Sequence, residues 1–271
     1  MVTLHSNFIK AFVQTPPLWL DHQFGITQFA FPEIDYTVLK GVTLPATMRL
    51  GHKIEHIFLN CLEGQTTYQL LAHSMVVRKE NRTLGEIDFL LKDNRDQQLV
   101  HMELTFKFYL LNNRLEEPID QLIGPNRKDN LVAKLEKLRN LQFRLPFLAE
   151  GKEQLKLYTR NTEEIKQEVC FKAQIFTPYQ QNPTRLYPVN DHCVVGFWLP
   201  FEAFEGAGFK TYEYYVPTKD EWILSPDNTK FWMSHFKVLL ALNIHMLQKR
   251  SVMVWMKKGE SVYEKFFVVW W

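Results

Sequence analysis

Two acidic residues on neighbouring predicted strands are the residues of this sequence best placed to do chemistry. Segments 84–91 and 98–110 carry strand-like apolar residues and are separated by the polar turn KDNRDQ, which predicts an antiparallel hairpin. If the chain reverses in the middle of this turn, Asp88 lies directly opposite Glu103. Carboxylates with Cβ atoms roughly 5 Å apart destabilise a sheet unless something neutralises them. A Mg²⁺ or Mn²⁺ ion, which prefers carboxylate oxygens, would do so.

The same register sorts the other residues of the hairpin onto two faces. One face is apolar throughout and is expected to pack on the core; its facing pairs are Ile87 with Leu104, Phe89 with Met102, and Leu91 with Val100. The other face carries the acid pair, with Glu86 across from Thr105 and Leu90 across from His101. A slip of two residues would keep the faces but separate the acids, and the turn contains no glycine that would set its type.

The sequence leaves other arrangements of the acid pair open. One acid could be protonated with a strongly raised pKa, or a basic side chain such as Lys107 or His101 could neutralise the pair. The hairpin could also be an exposed one whose polar face only contacts solvent. Against this, the long third strand is flanked by predicted helices, which favours a central strand, where acidic residues need a partner.

Periodicity places the hairpin within a series of helices and strands. A short helix is predicted near residues 6–13, followed by an irregular stretch with four prolines up to residue 45. From there the predicted elements are a helix over 46–63, strands over 67–77, 84–91 and 98–110, a helix from Asn126 as N-cap to Leu141, a helix over 152–168, a strand over 169–179, strands at HCVVGFWL and KTYEYYV, a helix over 228–249 and a strand at VYEKFFVVWW.

Composition limits the class of protein. With 271 residues and 46% hydrophobic content, the chain can fill a substantial core. The aromatic residues concentrate after residue 170, where core packing is favoured over a contact surface. Three cysteines without a CxxC pair argue against a disulfide framework or a zinc knuckle, and we expect a cytoplasmic protein without a signal peptide or membrane span. A net charge of +2 does not mark a nucleic-acid binder, so such a surface would be local.

The string GEIDFLL followed by HMELTFKFYL, between helices containing GHKIE and GPNRKDN, resembles the PD-(D/E)XK nuclease superfamily. More closely, it is similar to an uncharacterised bacterial family placed in that superfamily. The resemblance implies a restriction-endonuclease-like α/β (α+β) core of helix, three-stranded antiparallel meander, helix and strand over residues 46–178. Residues 1–45 would wrap this core, and residues 179–271 would form an aromatic-rich α/β extension packed on it.

The resemblance also implies roles for individual residues. Asp88 matches the acid of the second strand, Glu103 the acid of the third, and Glu55 a glutamate of the first helix, and these three would hold Mg²⁺ or Mn²⁺. The expected lysine two residues after Glu103 is replaced by Thr105. Lys107 comes four residues after Glu103, roughly 13 Å along a strand instead of roughly 6.6 Å.

Two functions follow from this resemblance. The first is a metal-dependent endo- or exonuclease acting on DNA, or less probably on RNA, with Lys107 or a lysine or arginine of the next helix replacing the missing lysine. The alternative is a catalytically inactive member that binds nucleic acid or protein. The side chains that could contact nucleic acid are Arg78, Lys79, Arg82, Arg127, Lys128, Lys134 and Lys137. Zinc at His52 and His56 is disfavoured, because the rest of a zinc motif is absent.

Overall fold

The computed structural model of the protein describes residues 2–4, 6–37, 39, 41–45, 47–113, 119–181 and 186–271. These residues form a mixed α/β fold with six α-helices and a large mixed β-sheet. The broad expectation of an α+β architecture is therefore confirmed. The residue at which the first core helix was predicted to begin, Ala46, lies outside the described residues.

The helices and strands have the following bounds. The α-helices are α1 (Ser6–Gln14), α2 (Leu50–Glu63), α3 (Leu131–Asn140), α4 (Ala149–Leu155), α5 (Phe201–Phe204) and α6 (His235–Leu247). The strands are β1 (Val2–Leu4), β2 (His22–Gln23), β3 (Ile26–Gln28), β4 (Val42–Leu44), β5 (Tyr68–Lys79), β6 (Arg82–Asp93), β7 (Leu99–Leu111), β8 (Leu122–Ile123), β9 (Lys166–Pro178), β10 (Val194–Pro200), β11 (Glu213–Tyr215), β12 (Met233–Ser234), β13 (Val252–Lys257) and β14 (Tyr263–Val269).

The chain divides into two compact units, each built from several segments. The first unit comprises Met1–Phe12, Pro17–Phe106 and Val132–Lys172, and the second comprises Val13–Pro16, Lys107–Leu131 and Ala173–Trp271. Strands β7 and β9 contribute residues to both units. This grouping differs from the predicted segments 1–45, 46–178 and 179–271, because residues 107–131 join the second unit.

The first unit contains an antiparallel meander of β5, β6 and β7. With β9 the strand order is β9–β7–β6–β5, so β6 and β7 have a neighbour on each side. Along the chain the elements are α2, β5, β6, β7, β8, α3, α4 and β9, so the predicted helix, three strands, helix and strand occur in this order with β8 and α4 between them. The central position expected for the third strand is therefore confirmed.

Helix α2 covers part of this sheet with its apolar stripe. Ile54, Ile57, Phe58 and Cys61 recur at helical spacing and are buried, and the Phe58 ring centroid lies 4.7 Å from that of Phe89 on β6. The helix stops before Gly64, as predicted. A Cβ at Gly64 would lie 3.0 Å from the carbonyl oxygen of Asp35, so the close approach of these two segments favours glycine there.

The turn between β6 and β7 fixes the register of the hairpin without glycine. Asp93 accepts the backbone N–H of Arg95 at 2.9 Å and pairs with its guanidinium at 2.7 Å. Gln97 takes the left-handed conformation that the turn needs, at φ 65°. The backbone then pairs Phe89 with Met102, Leu90 with His101 and Leu91 with Val100, as predicted.

The second unit has the strand order β12–β11–β13–β14–β10–β9. Strand β10 runs parallel to both β9 and β14, whereas β13 is antiparallel to β14. Several aromatic residues pack in its core, where Phe204, Tyr214 and Phe266 are fully buried. Helix α6 is an exception, because the apolar side chains of one of its faces are exposed: Phe236, Leu240, Ile244 and Leu247.

Three predicted helices have different bounds in the structure. The helix predicted over 152–168 corresponds to α4, which spans only Ala149–Leu155, and residues 166–168 already belong to β9. Asn126 is not an N-cap: α3 begins at Leu131, and the Asn126 side chain accepts the backbone N–H of Ser251 at 2.8 Å. The helix predicted over 228–249 is α6 alone, and β13, which follows it, was not predicted.

Two further observations concern the cysteines and the helices. Cys61, Cys170 and Cys193 are all free and buried. Burial raises the pKa of Cys61 to about 12, which leaves its thiol inert at neutral pH. Within the described residues, no helix has both the length and the apolar character needed to cross a membrane.

Candidate functional site

The two predicted acids lie side by side in the first unit. Regular backbone pairing of β6 with β7 stops at Phe89 and Met102, one residue short of the acids. Beyond that point the backbone N–H of Leu104 donates to Asp88 Oδ2 at 2.9 Å. The Asp88 amide nitrogen is 3.5 Å from Glu103 Oε1, at the limit of a hydrogen bond. The side chain of Asp88 therefore takes the place of a backbone acceptor in the ladder.

Glu103 is fully buried and held by two side chains. Its Oε1 lies 2.8 Å from His101 Nε2, and its Oε2 accepts a hydrogen bond from Gln142 Nε2. The His101 ring is also fully buried and packs edge-on against Phe143 at 5.6 Å between centroids. His101 is one of the two basic side chains that the sequence left open as partners of the acid pair, and it contacts Glu103. Its other ring nitrogen, Nδ1, is buried and has no hydrogen-bond partner among the described residues.

The Asp88 carboxyl group has a raised pKa. Burial and the neighbouring charge of Glu103 raise the pKa of Asp88 to about 8. The Leu104 N–H and the positive charge of Lys134 act in the opposite direction but do not overcome these two effects. Asp88 is therefore mostly protonated at neutral pH, which is the first of the alternatives left open by the sequence.

Glu55 of α2 contributes to the field of this site. Its negative charge also raises the pKa of Asp88, which places it within electrostatic range. Its carboxylate lies 3.2 Å from His52 Nδ1 on the partly exposed side of the helix. Within the described part of the chain, no group of three His, Cys, Asp or Glu side chains is arranged to hold a metal ion. A cation here would rest on one or two carboxylates and on water.

Lys107 does not provide a free ammonium group. It belongs to the second unit, where its Nζ pairs with Asp129 Oδ2 at 2.6 Å. Thr105, at the position where a lysine was expected, is buried, and its hydroxyl has no hydrogen-bond partner within the described part of the chain. Lys134 of α3 is the lysine that the first unit brings to the acids, since its Nζ donates to Gln142 Oε1 at 3.2 Å. Gln142 thus joins Lys134 to Glu103.

The predicted nucleic-acid contacts fall into separate groups. Arg78, Lys79 and Arg82 lie exposed around the tip of the β5–β6 hairpin, where Lys79 pairs with Arg82 across the strands. Arg82 and Asp88 are six residues apart on β6, roughly 20 Å along the strand. Arg127, whose guanidinium lies 4.3 Å from the Trp271 ring centroid, and Lys128 belong to the second unit.

Three further predicted residues are placed as follows. Lys137 lies in the last turn of α3 and is exposed, where its charge is favourable at a helix C-terminus. Glu86 is exposed on β6 and makes no contact that assigns it to the acid pair. His56 lies on α2 beside His52 and Glu55 but forms no metal-binding group with them among the described residues.

Gln142 and Phe143 are site residues that sequence reasoning did not find. They lie on the short 3₁₀-helix Gln142–Phe147, which follows α3 and covers the acid side of the sheet. A polar residue just past a predicted helix end is common in sequences, so Gln142 carried no local signal. Only the folded chain brings it to Glu103, 39 residues earlier in the sequence.

The chain matches the family described as Domain of unknown function (DUF1853) over residues 32–269 and belongs to this family. The match spans both units and includes the acids, His101, Lys134 and Gln142. A comparison with curated proteins found no match. A comparison with solved structures found none either.

Proposed function

We propose that this protein is a metal-dependent nuclease of the PD-(D/E)XK type that hydrolyses phosphodiester bonds of DNA. The observation that carries the proposal is the half-buried Asp88 carboxyl group, which lies beside the fully buried Glu103 and has its pKa raised to about 8. Such a pair is short of positive charge, and a divalent cation supplies that charge. The predicted restriction-endonuclease-like core belongs to the same proposal, and the element order and the central acidic strands support it.

The residues present suit Mg²⁺ or Mn²⁺ better than a tightly caged metal. Mg²⁺ keeps several waters and is commonly held by one or two carboxylates together with substrate phosphates. Each oxygen of Glu103 accepts one hydrogen bond from a side chain, and a carboxylate oxygen has a further lone pair available. Asp88 and Glu103 would hold the ion, and Glu55 would act through its charge.

The remaining residues would position the acids and the substrate. When bound, the cation would activate a water molecule and neutralise charge on the phosphodiester. His101 and Gln142 fix the Glu103 carboxylate, and the Leu104 N–H fixes Asp88. We assign to Lys134 the charge-stabilising role expected of the displaced lysine, because its charge already acts on Asp88.

The tip of the β5–β6 hairpin would contact the substrate away from the cleavage point. Arg78 and Arg82 are exposed there, and Lys79 lies 3.8 Å from Glu150 in a weak surface pair. Guanidinium groups bind phosphates by charge and by paired hydrogen bonds. DNA is favoured over RNA only by the resemblance to the nuclease superfamily.

A second candidate function is a non-catalytic module that binds nucleic acid or protein. It is favoured by Thr105, which stands where the acid-x-lysine pattern has its lysine, and by Lys107, the lysine that could replace it, being paired with Asp129. In this case the acid pair would be a remnant, and Asp88 would remain protonated at neutral pH.

An assay with purified protein separates the two candidates. Single- and double-stranded DNA would be incubated with Mg²⁺ or Mn²⁺ and with the wild type, Asp88→Asn and Glu103→Gln. Loss of a group that stabilises charge in a transition state costs about a hundredfold or more in rate, and we expect that loss for both variants. Glu86→Gln, which changes an exposed acid on the same strand, is the matched control and should cleave at the wild-type rate.

Cleavage that survives in both acid variants would contradict the proposed site. If the wild type cleaves nothing, yet binds DNA in a way that Arg78→Ala with Arg82→Ala weakens, the non-catalytic candidate is correct.

A further inference from the structure

A cleft in the second unit gathers more positive charge than any predicted site. Its volume is about 750 Å³, within the range of small-molecule sites, roughly 300–1,000 Å³. Three segments form it: the loop after β8, residues 216–222, and the C-terminal end of α6 with residues 248–252. We call it the basic cleft, after the basic side chains that line it: Lys128, Lys219, His245, Lys249 and Arg250.

These basic side chains are not neutralised by acidic partners. Of the residues that the structure describes, no Asp or Glu lines the cleft. In the part of the chain that the structure describes, none of the five basic residues forms an ion pair. Two nearby acids are engaged elsewhere, since Glu221 pairs with Lys230 at 2.6 Å and Asp129 with Lys107 at 2.6 Å.

The end of a helix explains only part of this charge. Basic residues are favoured at a helix C-terminus, which accounts for His245 and the residues just after α6. Lys128 and Lys219 come from two other segments and have no such reason to point into the same space. Their convergence with Arg250 indicates a site for an anion.

The walls of the basic cleft are held in place by hydrogen bonds. Ser251 donates its backbone N–H to Asn126 Oδ1 at 2.8 Å and its hydroxyl to the carbonyl of Pro125 at 2.6 Å. Glu221 accepts the backbone N–H of Thr218 at 2.8 Å, which closes the turn that carries Lys219. The loop, the turn and the end of α6 are therefore ordered before any ligand binds, which lowers the entropic cost of binding.

An aromatic ring lies beside the charges. Trp222 lines the cleft, and its ring is fixed by edge-on contacts with Phe108 at 5.5 Å and Phe267 at 5.0 Å between centroids. The ammonium of Lys219 lies 5.9 Å from the Trp222 ring centroid. Val216, Pro217 and Val252 extend this apolar wall. A flat base could contact this wall while its phosphates contact the lysines and Arg250.

We propose that the basic cleft binds a nucleoside phosphate, with the phosphates held by Lys219, Lys249 and Arg250 and the base placed against Trp222. The site uses none of the carboxylates of the first unit, so it does not depend on the proposed nuclease activity. Its volume of about 750 Å³ suits a single nucleotide better than an extended nucleic-acid strand.

Calorimetric titration of the full chain tests this proposal. ADP, pyrophosphate, adenosine and a short oligothymidylate are the probes, at low ionic strength and with EDTA so that no divalent cation contributes. We expect saturable binding of ADP, weaker binding of pyrophosphate and no measurable binding of adenosine. A charge-assisted hydrogen bond is worth about tenfold or more in affinity, so Lys219→Glu and Arg250→Glu should each weaken ADP binding by about that factor.

A matched control comes from the same helix. Lys237 is an exposed lysine of α6 outside the cleft, and Lys237→Glu should change ADP affinity by less than about twofold. Melting curves of the variants should agree with the wild type, because the substituted side chains are exposed. Equal weakening by Lys237→Glu, or adenosine binding as tightly as ADP, would overturn the proposal. Oligothymidylate binding that ADP does not displace, together with absent ADP binding, would assign the cleft to a nucleic-acid strand instead.

Discussion

Each unit of the chain withdraws an ionisable side chain from solvent, Asp88 in the first unit and Lys265 in the second, but the two have different hydrogen-bond partners. In the second unit, Lys265 donates to Gln174 Oε1 at 2.7 Å and to the carbonyl of Leu224 at 3.2 Å. Burial lowers its pKa to about 7. In the first unit, burial and the charge of Glu103 raise the pKa of Asp88 to about 8. Both groups are pushed towards their neutral forms, but only Lys265 has a complete set of uncharged partners nearby.

This difference separates a structural group from a candidate functional one. Two neutral acceptors match the two N–H groups of an uncharged Lys265 amine, and the hydrogen bonds of Gln174 and Lys265 tie residues 223–224 to the sheet. Asp88 and Glu103, in contrast, face each other and repel when both are ionised. A cation bound between them would remove this repulsion, which favours its binding. Perturbed carboxyl groups of this second kind are those that cluster at functional sites.

The two groups also predict opposite responses to pH. The folded state holds a proton on Asp88 that the unfolded state has released, so its contribution to stability falls as pH rises from about 4 to about 8. The folded state lacks a proton on Lys265 that the unfolded state keeps, so that contribution rises as pH increases from about 7 towards 10.5.

The largest effect is expected at Lys265. Lys265→Ala should lower the free energy of unfolding by about 3 kcal/mol, because it leaves two buried acceptors without a donor and opens a cavity. Lys265→Met keeps the side-chain volume and removes the buried amine, so we expect it to lower the free energy of unfolding by only about 1 kcal/mol. Urea denaturation at neutral pH measures both values. A Lys265→Ala variant as stable as the wild type would show that Lys265 has no structural role.

A smaller effect of opposite sign is expected at Asp88. Asp88→Asn removes the buried like-charge contact and keeps an oxygen that can accept the Leu104 N–H. It should therefore raise the free energy of unfolding by about 2 kcal/mol near pH 8.5, and this gain should vanish towards pH 4, where the wild type is protonated. Denaturation across this pH range, with Glu86→Gln as control, measures the difference. A gain that is independent of pH would contradict the assigned pKa.

Binding of a divalent cation should raise the free energy of unfolding about half as much as Asp88→Asn does. Mn²⁺ at several times its dissociation constant should stabilise the wild type by about 1 kcal/mol near pH 8.5, which corresponds to roughly 2–4 °C in melting temperature. The shift should be absent in Asp88→Asn and smaller below pH 7, because protons compete for Asp88. Equal stabilisation of Asp88→Asn would place the cation elsewhere.

The sequence was sufficient to predict that Asp88 and Glu103 lie together, but not which residues surround them. Alternation along β6 and β7 and the polar turn predicted the register, and that register brings Asp88 beside Glu103. Such local patterns persist in the fold because a slip of one residue would move every apolar side chain off the core. The end of the ladder at Phe89 could not be predicted, because it depends on the Asp88 carboxylate accepting a backbone amide.

The missed residues depend on contacts far apart in the chain. Gln142 reaches Glu103 only after α3 and the 3₁₀-helix have packed on the sheet, and Lys107 is engaged by Asp129, 22 residues later. Strand β13 was missed for a different reason. Its residues VMVWM are uniformly apolar and buried, so they lack the alternation by which a strand is distinguished from a buried helix.

The smallest expected effect tests whether Lys134 belongs to the acid pair. The charge of Lys134 lowers the pKa of Asp88, so Lys134→Met should move the midpoint of the Asp88-dependent loss of stability upward by about half a pH unit, or roughly 0.7 kcal/mol. The shift is measured from denaturation curves across pH. In the Asp88→Asn background the same substitution should leave the pH dependence unchanged, because the titrating group is gone. A shift that persists there would assign the charge of Lys134 to another acid and would remove it from the proposed catalytic role.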